Sequence, residues 1–560
     1  MSVLTSLITL SAAVGCSDPP EPAPGAGGTA GDGGTAGDGG TAGDGGTAGD
    51  GGTAGMAGGG AGGTGATGGI GGVGGIGGAG GVAGSAGAAG TGGVGGTGGT
   101  GGTGGSGPVC DPLGPPEENP CAADEAHAVF VSPNGAPGAA GTRASPLDSV
   151  SLGVLRAKQQ GKRLFVCGSA GAFDEQLALT EAHHGVEAWG SFDCTDWSYD
   201  SGIRARLAPG DDRPALRADN VTEPIVLKGF EFVARDATQP GGSSVAAFVR
   251  SSTALVLEQV TLQAGAGRAG TDGVTTPYTY PTAIDGKAGS ASGPGGAETR
   301  NTCPGGAVSV GGKGGNGGSP LGMPANGTPA LTSPDPDGGK GGVLPSPIPS
   351  SCHIGTGYVG HGRAGNPGAP GAHGAGAPRG ALSAAGWTHG TPTDGSPGAV
   401  AQGGGGGHGR GAVGGGGGGA GGCGGALGKA GNSGGNSVAL MLFQAPIQLV
   451  DVTLITAAAG AGGRGSAGQV GQTGGARGMP GTTAPGCNPG PGGEGGKGGN
   501  GGGGGGGAGG LSVGVMHYGS APTQVGGSTQ TGAAGAAGPG GHSSNAGAAG
   551  VSQAILAVGP

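Results

Sequence analysis

Residues 244–265 read SVAAFVRSSTALVLEQVTLQAG, and residues 437–460 read SVALMLFQAPIQLVDVTLITAAAG. Both stretches begin with Ser-Val-Ala, contain Val-Thr-Leu and end in Ala-Gly. A third, weaker copy begins at Ser512 with SVGVM and ends in Gly532. Short runs of β-branched and aliphatic residues, bounded by turn residues, predict strands. We interpret the copies as successive coils of one repetitive β structure.

Glycine-rich chain separates these coils. The protein has 159 glycines and 41 prolines in 560 residues, with 3% aromatic and 10% charged residues. Ordinary globular proteins have about 7% glycine and about 25% charged residues, so a uniform globular core is excluded. Three residues is the repeat of the polyproline II helix, and glycine at one edge lets chains approach closely. Glycine occupies every third position in 69–105, and similar runs return in 362–374, 462–474 and 532–541.

We expect the inserts between the coils to be ordered. They contain four cysteines, and they share the sequence GGKGGNGG at 311–318 and 495–502, each time downstream of a cysteine (Cys303 or Cys487). We therefore predict a bundle of antiparallel polyproline II helices beside the coils, held by backbone hydrogen bonds and Cα–H···O contacts. Disordered low-complexity chain is the alternative.

The chain begins like an exported protein. The apolar run 3–14 is too short to span a bilayer and ends at Ala13-Val14-Gly15-Cys16, after which the composition changes abruptly. This resembles the lipobox of bacterial lipoproteins. The resemblance implies a signal peptide over 1–16, lipidation of Cys16, and a position on the outer membrane or cell surface. Plain secretion and an accidental apolar start are the alternatives.

The region 17–107 has the composition of a tether. Thr-Ala-Gly-Asp-Gly-Gly repeats from Thr29 to Gly52, and glycine triplets follow. Collagen needs abundant proline, and none occurs between Gly25 and Gly107. We expect a flexible, disordered linker in which the aspartates are solubilising. The expected organisation after it is a first β part (108–264), an insert (265–436), a coil (437–460), a second insert (461–510) and a final coil with a glycine-rich end (511–560).

The cysteines predict disulfide bonds. There are nine, so eight remain if Cys16 carries lipid, and neither a CxxC motif nor a zinc-like Cys–His spacing occurs. Eight cysteines allow about 105 pairings. Our hypothesis is pairing between neighbours along the chain: Cys110–Cys121, Cys167–Cys194, Cys303–Cys352 and Cys423–Cys487.

The region 108–262 is poorer in glycine. Residues 128–132 predict a strand followed by a Pro-Asn-Gly turn, and 149–160 predict an amphipathic helix, with Asp148 or Ser149 as its cap and Gly161 at its end. Short strands follow at intervals as far as Leu262. This spacing is typical of an all-β solenoid or a sandwich.

These motifs also resemble a known family. VFVSPNG at 129–135, GT and SPL within 141–147, LFVC at 164–167 and IVLKGFEF at 225–232 are similar to pectin-lyase-like right-handed parallel β-helices. The resemblance implies an all-β fold with an N-terminal capping helix, and it puts Cys167 and Cys194 on adjacent coils. The inserts are PGRS-like, and in this respect the snow-flea antifreeze protein and certain phage tail-tip adhesins are similar.

Pectin-lyase-like folds host polysaccharide lyases and glycosidases, so we searched for catalytic groups. A carboxylate pair could act on a glycosidic bond, but the family's NTD and RIK motifs are absent. We interpret the candidates as turn residues and coincidences of composition: Asp211, Asp212, His361 and His408. Asp193, Asp196 and Asp200 lack an EF-hand pattern and are expected in solvated loops. Of the tryptophans that could stack on sugars, Trp189 is expected in the core and Trp387 as an exposed contact.

The sequence predicts a non-catalytic function and assigns no catalytic residue, cofactor or metal. The net charge of −10, with no basic cluster, argues against nucleic acid and against membrane binding other than through the lipid. We predict a cell-surface lipoprotein that acts in adhesion, binds glycan or another cell surface, or forms part of the envelope. The alternatives are a polysaccharide lyase or glycoside hydrolase on the β-helix, and an inert stalk. Charged side chains clustered on one β-helix face would favour the enzyme.

Overall fold

The repeated stretches are neighbouring parallel strands, in the register that their sequences predict. A computed structural model describes residues 110–318, 325–330, 339–343, 360–482 and 489–559. In it Ser244 pairs with Ser437, and Ser437 pairs with Ser512. The Val-Thr-Leu motifs also align, because Thr261 pairs with Thr453. The alignment of the copies is therefore confirmed.

Among the described residues, one α-helix and two 3₁₀ turns accompany the strands. The helix α1 spans Val150–Gln160, and the turns span Pro120–Ala123 and Glu181–His183. The strands, in chain order, are β1 (Ala128–Ala136), β2 (Arg163–Cys167), β3 (Ala172–Phe173), β4 (Leu177–Leu179), β5 (Glu187–Phe192), β6 (Ala205–Leu207), β7 (Leu216–Asp219), β8 (Ile225–Lys228), β9 (Phe230–Val233), β10 (Ser244–Arg250), β11 (Leu255–Glu258), β12 (Thr261–Gln263), β13 (Thr299–Thr302), β14 (Val308–Gly311), β15 (Ala381–Ser383), β16 (Gly386–Thr388), β17 (Ser437–Phe443), β18 (Gln448–Val450), β19 (Thr453–Ile455), β20 (Ser512–Tyr518), β21 (Thr523–Val525), β22 (Ser528–Gln530) and β23 (Ser552–Ala557).

Three parallel sheets contain all the strands except two hairpins. The first sheet has the order β1-β2-β5-β8-β11-β18-β21, the second β3-β6-β9-β12-β19-β22, and the third β4-β7-β10-β17-β20-β23. Successive strands such as β10, β11 and β12 go one to each sheet, and the next coil, β17 to β19, lies beside them. This arrangement fits a parallel β-helix. The hairpins β13–β14 and β15–β16 are antiparallel and lie within the long insert.

Leucine and phenylalanine columns fill the interior, and they end at the last coil. Leu257 lies beside Leu449, whose next neighbour is Gln524. In the second sheet Phe232, Leu262 and Leu454 stack in order, and Thr529 follows. The leucines and the phenylalanine are at most 1% exposed, whereas β21 and β22 are exposed throughout. Polar residues at inward positions therefore mark where the buried column stops.

The predicted helix is confirmed, with Ser149 as its cap. Ser149 Oγ accepts the N–H of Leu152, and Gly161 ends the helix with a left-handed φ of 62°. Val150, Val154 and Ala157 are buried in the same core as the strands. The Glu175 carboxylate also accepts hydrogen bonds from the Val150 N–H and the Ser149 hydroxyl, which favours it at this positive end of the helix.

Two of the expected disulfides are present, and two expected pairings were wrong. The structure joins Cys110 to Cys121 and Cys167 to Cys194. Cys303 is bonded to Cys423, so the predicted pairs Cys303–Cys352 and Cys423–Cys487 cannot form. Neighbours in sequence are poor guides here, because the insert returns on itself and brings Cys423 beside the β13–β14 hairpin. Cys16, Cys352 and Cys487 lie outside the described residues.

The glycine-rich chain is a hydrogen-bonded bundle. We use "the bundle" for the described parts of 265–318, 360–435, 460–510 and 531–550. Every third N–H of 416–434 donates to a carbonyl of the parallel segment 490–508, as from Gly422 to Gly496. The segment 460–481 is antiparallel to both, as in the bond from Gly495 N–H to the Gly475 carbonyl. The predicted antiparallel neighbours are present, and parallel pairs occur as well.

One triplet position shows how side chains set the edge of the bundle. Positions 494, 497 and 500 hold Glu, Lys and Asn and are exposed, whereas 503, 506 and 509 hold glycine. The segment 535–541 covers only the glycines. A Cβ added to Gly503 would lie 2.6 Å from the backbone of Gly541, and one added to Gly506 would lie 2.0 Å from the Gly538 carbonyl oxygen. A side chain at this position thus excludes a covering chain, and its triplet faces solvent.

Candidate functional site

The bundle has a groove where its covering chain ends at Gly541. The groove has a volume of about 500 Å³, and Asn500 and Gly501 form its floor. Pro370 and His373 form one wall, and Ala467 and Val470 form the other. Val470 is 60% exposed. We call this site the bundle groove; it combines apolar walls with a polar floor, as small-ligand sites do.

Two histidines stack at the closed end of the bundle groove. The rings of His373 and His542 are 3.9 Å apart with an interplanar angle of 15°. His373 Nδ1 accepts the N–H of Gly503 at 2.9 Å, and His542 Nδ1 accepts the N–H of Ser544 at 3.3 Å. A ring nitrogen that accepts carries no proton, so in each neutral ring the proton is on Nε2. Of the two rings, that of His373 lines the groove.

The chain that forms the floor presents main-chain carbonyls at three-residue intervals. Beyond the groove, these carbonyls accept hydrogen bonds from the segment 535–541. The N–H groups of Gly541 and Gly538 donate to the carbonyls of Gly504 and Gly507. At the same place in the preceding triplets, the carbonyls of Gly501 and Gly498 have no hydrogen-bond partner in the described part of the chain. Gly501 lines the open groove, where a ligand hydroxyl group could donate to its carbonyl, whereas Gly498 is buried and outside the lining.

The Asn500 side chain also takes part in the hydrogen bonds between the chains. Its Oδ1 accepts the N–H of Gly471 at 3.1 Å. Asn316, in the other copy of GGKGGNGG, does the same for Gly295 at 3.0 Å. Sequence analysis found this repeat but missed the role of the asparagine, because the role depends on which chains are neighbours.

Charged side chains do cluster on the outer face of the first sheet. Arg163 pairs with Glu187 at 2.8 Å, and Lys228 pairs with Glu258 at 3.1 Å and lies 4.3 Å from the ring centre of Trp189. The cations are buried, with Arg163 7% and Lys228 8% exposed. Loop residues lie over the cluster.

A loop covers part of this cluster. Arg163 Nη1 donates to the Gly114 carbonyl at 2.8 Å, so the loop before Pro120 is fastened over the face. Burial, and next the Glu117 carboxyl, raise the pKa of the nearby Tyr199 to about 12. The tyrosine is therefore held protonated near neutral pH. Both carboxylates of the cluster are paired with a cation, and their side chains are 37% (Glu187) and 32% (Glu258) exposed.

The carboxylates and histidines considered for catalysis do not form a common site. Asp211 pairs with Arg213 at 2.6 Å, and Asp212 accepts the Thr238 hydroxyl at 2.7 Å. His408 is 2% exposed within the bundle, and its N–H donates to the carbonyl before His361. Burial lowers the pKa of both histidines. Within the described ranges, the hydrogen bonds and ion pairs of Asp211 and Asp212 are to Arg213, Arg235 and Thr238.

The three loop aspartates each close their own turn. Asp193, Asp196 and Asp200 accept the N–H of the residue two positions later, at 2.7 to 2.9 Å. The backbone hydrogen bond from Thr195 lowers the pKa of Asp193, and the side-chain hydrogen bond from Ser198 lowers that of Asp196. Among the described residues, no group of three or more His, Cys, Asp or Glu could hold a metal ion.

The tryptophans are structural. Trp189 is 4% exposed, which confirms its expected place in the core. The prediction of Trp387 as an exposed contact was wrong. Trp387 is half-buried in the β15–β16 hairpin and packs beside Met441 and Leu511 on the third sheet, and its Nε1 is buried. The hairpin folds its ring against Gly380, which has no side chain to displace it.

No protein-family profile, curated protein or solved structure matches this chain. The disulfides indicate an oxidising, extracytoplasmic environment. In the part of the chain that the structure describes, no helix is long and apolar enough to cross a membrane.

Proposed function

We propose that this chain is a non-catalytic surface protein whose bundle binds glycan in the bundle groove. The observation that carries the proposal is the combination found there. Asn500 and the main-chain acceptor of Gly501 line the floor, and His373 lines one wall. A sugar presents hydroxyl groups that both donate and accept, so it suits a floor with both kinds of partner.

Shape also supports a sugar ligand. Pro370 and Val470 give the walls apolar surface, on which the C–H faces of a sugar ring can pack. The groove is shallow and open, so it can hold part of a longer chain. A rigid backbone floor does not have to be ordered on binding, and this reduces the entropic cost of binding.

The proposed placement of the protein rests on its N-terminal sequence and disulfides. Lipidation of Cys16 would anchor the chain to the outer membrane or cell surface, with 17–107 as the tether. We propose a right-handed, pectin-lyase-like course for the β coils, with α1 as their cap and polyproline II conformation in the bundle. Adhesion and an envelope role are both compatible with this placement.

The enzyme alternative receives less support. Charged side chains do cluster on the first sheet, which by itself favours an enzyme. However, they are paired with each other, and the loop that contains Gly114 lies over them. The inert-stalk alternative does not account for a groove with aligned donors and acceptors.

A glycan array on the full chain, with a polysaccharide-lyase assay on the same preparation, tests the proposal. We expect binding that Asn500→Ala weakens about five- to tenfold, since a lost hydrogen bond costs about 1–1.5 kcal/mol. Val470→Ala should also weaken binding. Val274→Ala is the matched control, because Val274 is 75% exposed and lies outside the groove. Lyase activity would refute the proposal, and so would glycan binding that is unchanged in Asn500→Ala and Val470→Ala.

A further inference from the structure

The two copies of GGKGGNGG occupy equivalent places in the bundle. In the first copy, the Gly312 N–H donates to the Gly404 carbonyl and the Gly312 carbonyl accepts from Gly418. In the second copy, the corresponding Gly496 N–H donates to the Gln402 carbonyl, and the Gly496 carbonyl accepts from Gly422. Both copies therefore bond to the same two chains, the first copy within 403–409 and 414–419 and the second copy farther along them, within 396–402 and 422–428.

These two segments lie on opposite sides of that pair. The chains 403–409 and 414–419 are hydrogen-bonded to each other, as from Gly404 N–H to the Gly419 carbonyl. When rods pack side by side, two touching rods have only two common neighbours, one on each side of them. The segments 311–317 and 490–502 are these neighbours, so their solvent-exposed edges face away from each other.

Each copy presents one exposed lysine and one exposed asparagine, and the edge of the second copy also presents Glu494, which pairs with Arg477 at 3.8 Å. Lys313 and Lys497 are exposed, and neither forms an ion pair within the described residues. The asparagines are held by Gly295 and Gly471. In a chain of net charge −10, a lysine with no acidic partner on a glycine floor is an anchor for an anionic group.

We infer that the two edges, Lys313 with Asn316 and Lys497 with Asn500, are equivalent sites for anionic glycan, so that one protein molecule can bridge two glycan chains. Each lysine contacts a carboxylate or sulfate group, and the adjacent triplet, about 9 Å away along the chain, contacts the neighbouring hydroxyl groups. This inference rests on the proposed function and adds to it the charge of the ligand and the number of sites.

Titration calorimetry on the full chain tests the inference, with a sulfated dextran oligosaccharide and the unsulfated oligosaccharide of the same length as probes. We expect two sulfated oligosaccharides per chain. Lys313→Gln and Lys497→Gln should each remove one site, and the double variant should lose both, with at least about tenfold weaker binding at each altered site. Lys287→Gln, at an exposed lysine outside both copies, should leave two sites.

A second measurement separates bridging from simple binding. Long dextran sulfate should form turbid, cross-linked complexes with the unaltered chain and soluble complexes with either single variant. A stoichiometry of one, or two sites that survive the double variant, overturns the inference. Equal binding of both probes overturns it while glycan binding stands. If neither probe binds, the inference falls, and the glycan array alone then decides the proposed function.

Discussion

Cys303 is bonded to Cys423, which is fully buried among the glycine-rich chains. The bond joins the β13–β14 hairpin to the bundle, and it spans 120 residues. Glycine pays a large entropic cost on ordering, so a long glycine-rich chain needs constraints of this kind. The disulfide and the hydrogen-bonded backbone together take the place of an apolar core here.

Replacing both of these cysteines with serine should therefore destabilise the protein by about 3–5 kcal/mol, because a long loop is released in the unfolded state. Urea denaturation followed by circular dichroism measures the change. The matched control is the double serine variant of Cys110 and Cys121. That disulfide spans only 11 residues, so its loss should lower the free energy of unfolding by less. Equal losses in both variants would contradict the argument.

Glycine inside the bundle should not tolerate a methyl group. A Cβ added to Gly498 would lie 1.9 Å from the carbonyl oxygen of Cys423. We expect Gly498→Ala to cost at least about 1–3 kcal/mol, because the two chains must separate. Gly559→Ala is the control, since nothing lies within 4 Å of its added Cβ. If thermal denaturation shows no difference between the two variants, the close packing described here is wrong.

Much of the β part could be predicted from sequence, because side-chain patterns set it. The Val-Thr-Leu motifs fixed the pairing of Thr261 with Thr453, and Ser149 with Gly161 marked the helix. The bundle was harder to predict, because glycine carries no side chain to say which chain is its neighbour. The partner of Cys303 could not be derived for this reason.

The residue type at one triplet position also predicts where the bundle has an exposed edge. The change from Asn500 to Gly503 at the same triplet position tells where a covering chain begins. Reading glycine content triplet by triplet therefore predicts which edges face solvent. The same rule would have identified the exposed edge at Lys313 and Asn316 from sequence alone.

Acidification should weaken the bundle through His408. Burial, and next the charge of Arg410, lower the pKa of this imidazole in the folded protein. The unfolded value is about 6.5. A depressed histidine pKa gives stability that is fully present above the unfolded pKa and is lost as the pH falls through that value toward the folded pKa.

We therefore expect the unfolding midpoint in urea to fall between about pH 7.5 and about pH 5.5, and His408→Gln to reduce this fall. His389, whose pKa burial also lowers, would account for part of the remaining slope. His127→Gln is the control at an exposed position. An unchanged slope in His408→Gln would show that this histidine is not buried as a neutral group.

The buried column of the second sheet ends at Leu454. Leu454 is 1% exposed between Leu262 and Thr529, and Thr529 is exposed on the final coil. Leu454→Thr should cost about 2–4 kcal/mol, because it removes buried methyl groups and buries a hydroxyl. Thr529→Leu should change the free energy of unfolding by less than about 1 kcal/mol, since the new side chain stays in water. Urea denaturation of both variants decides the matter: if Leu454→Thr is as mild as Thr529→Leu, the apolar interior does not extend as far as β19.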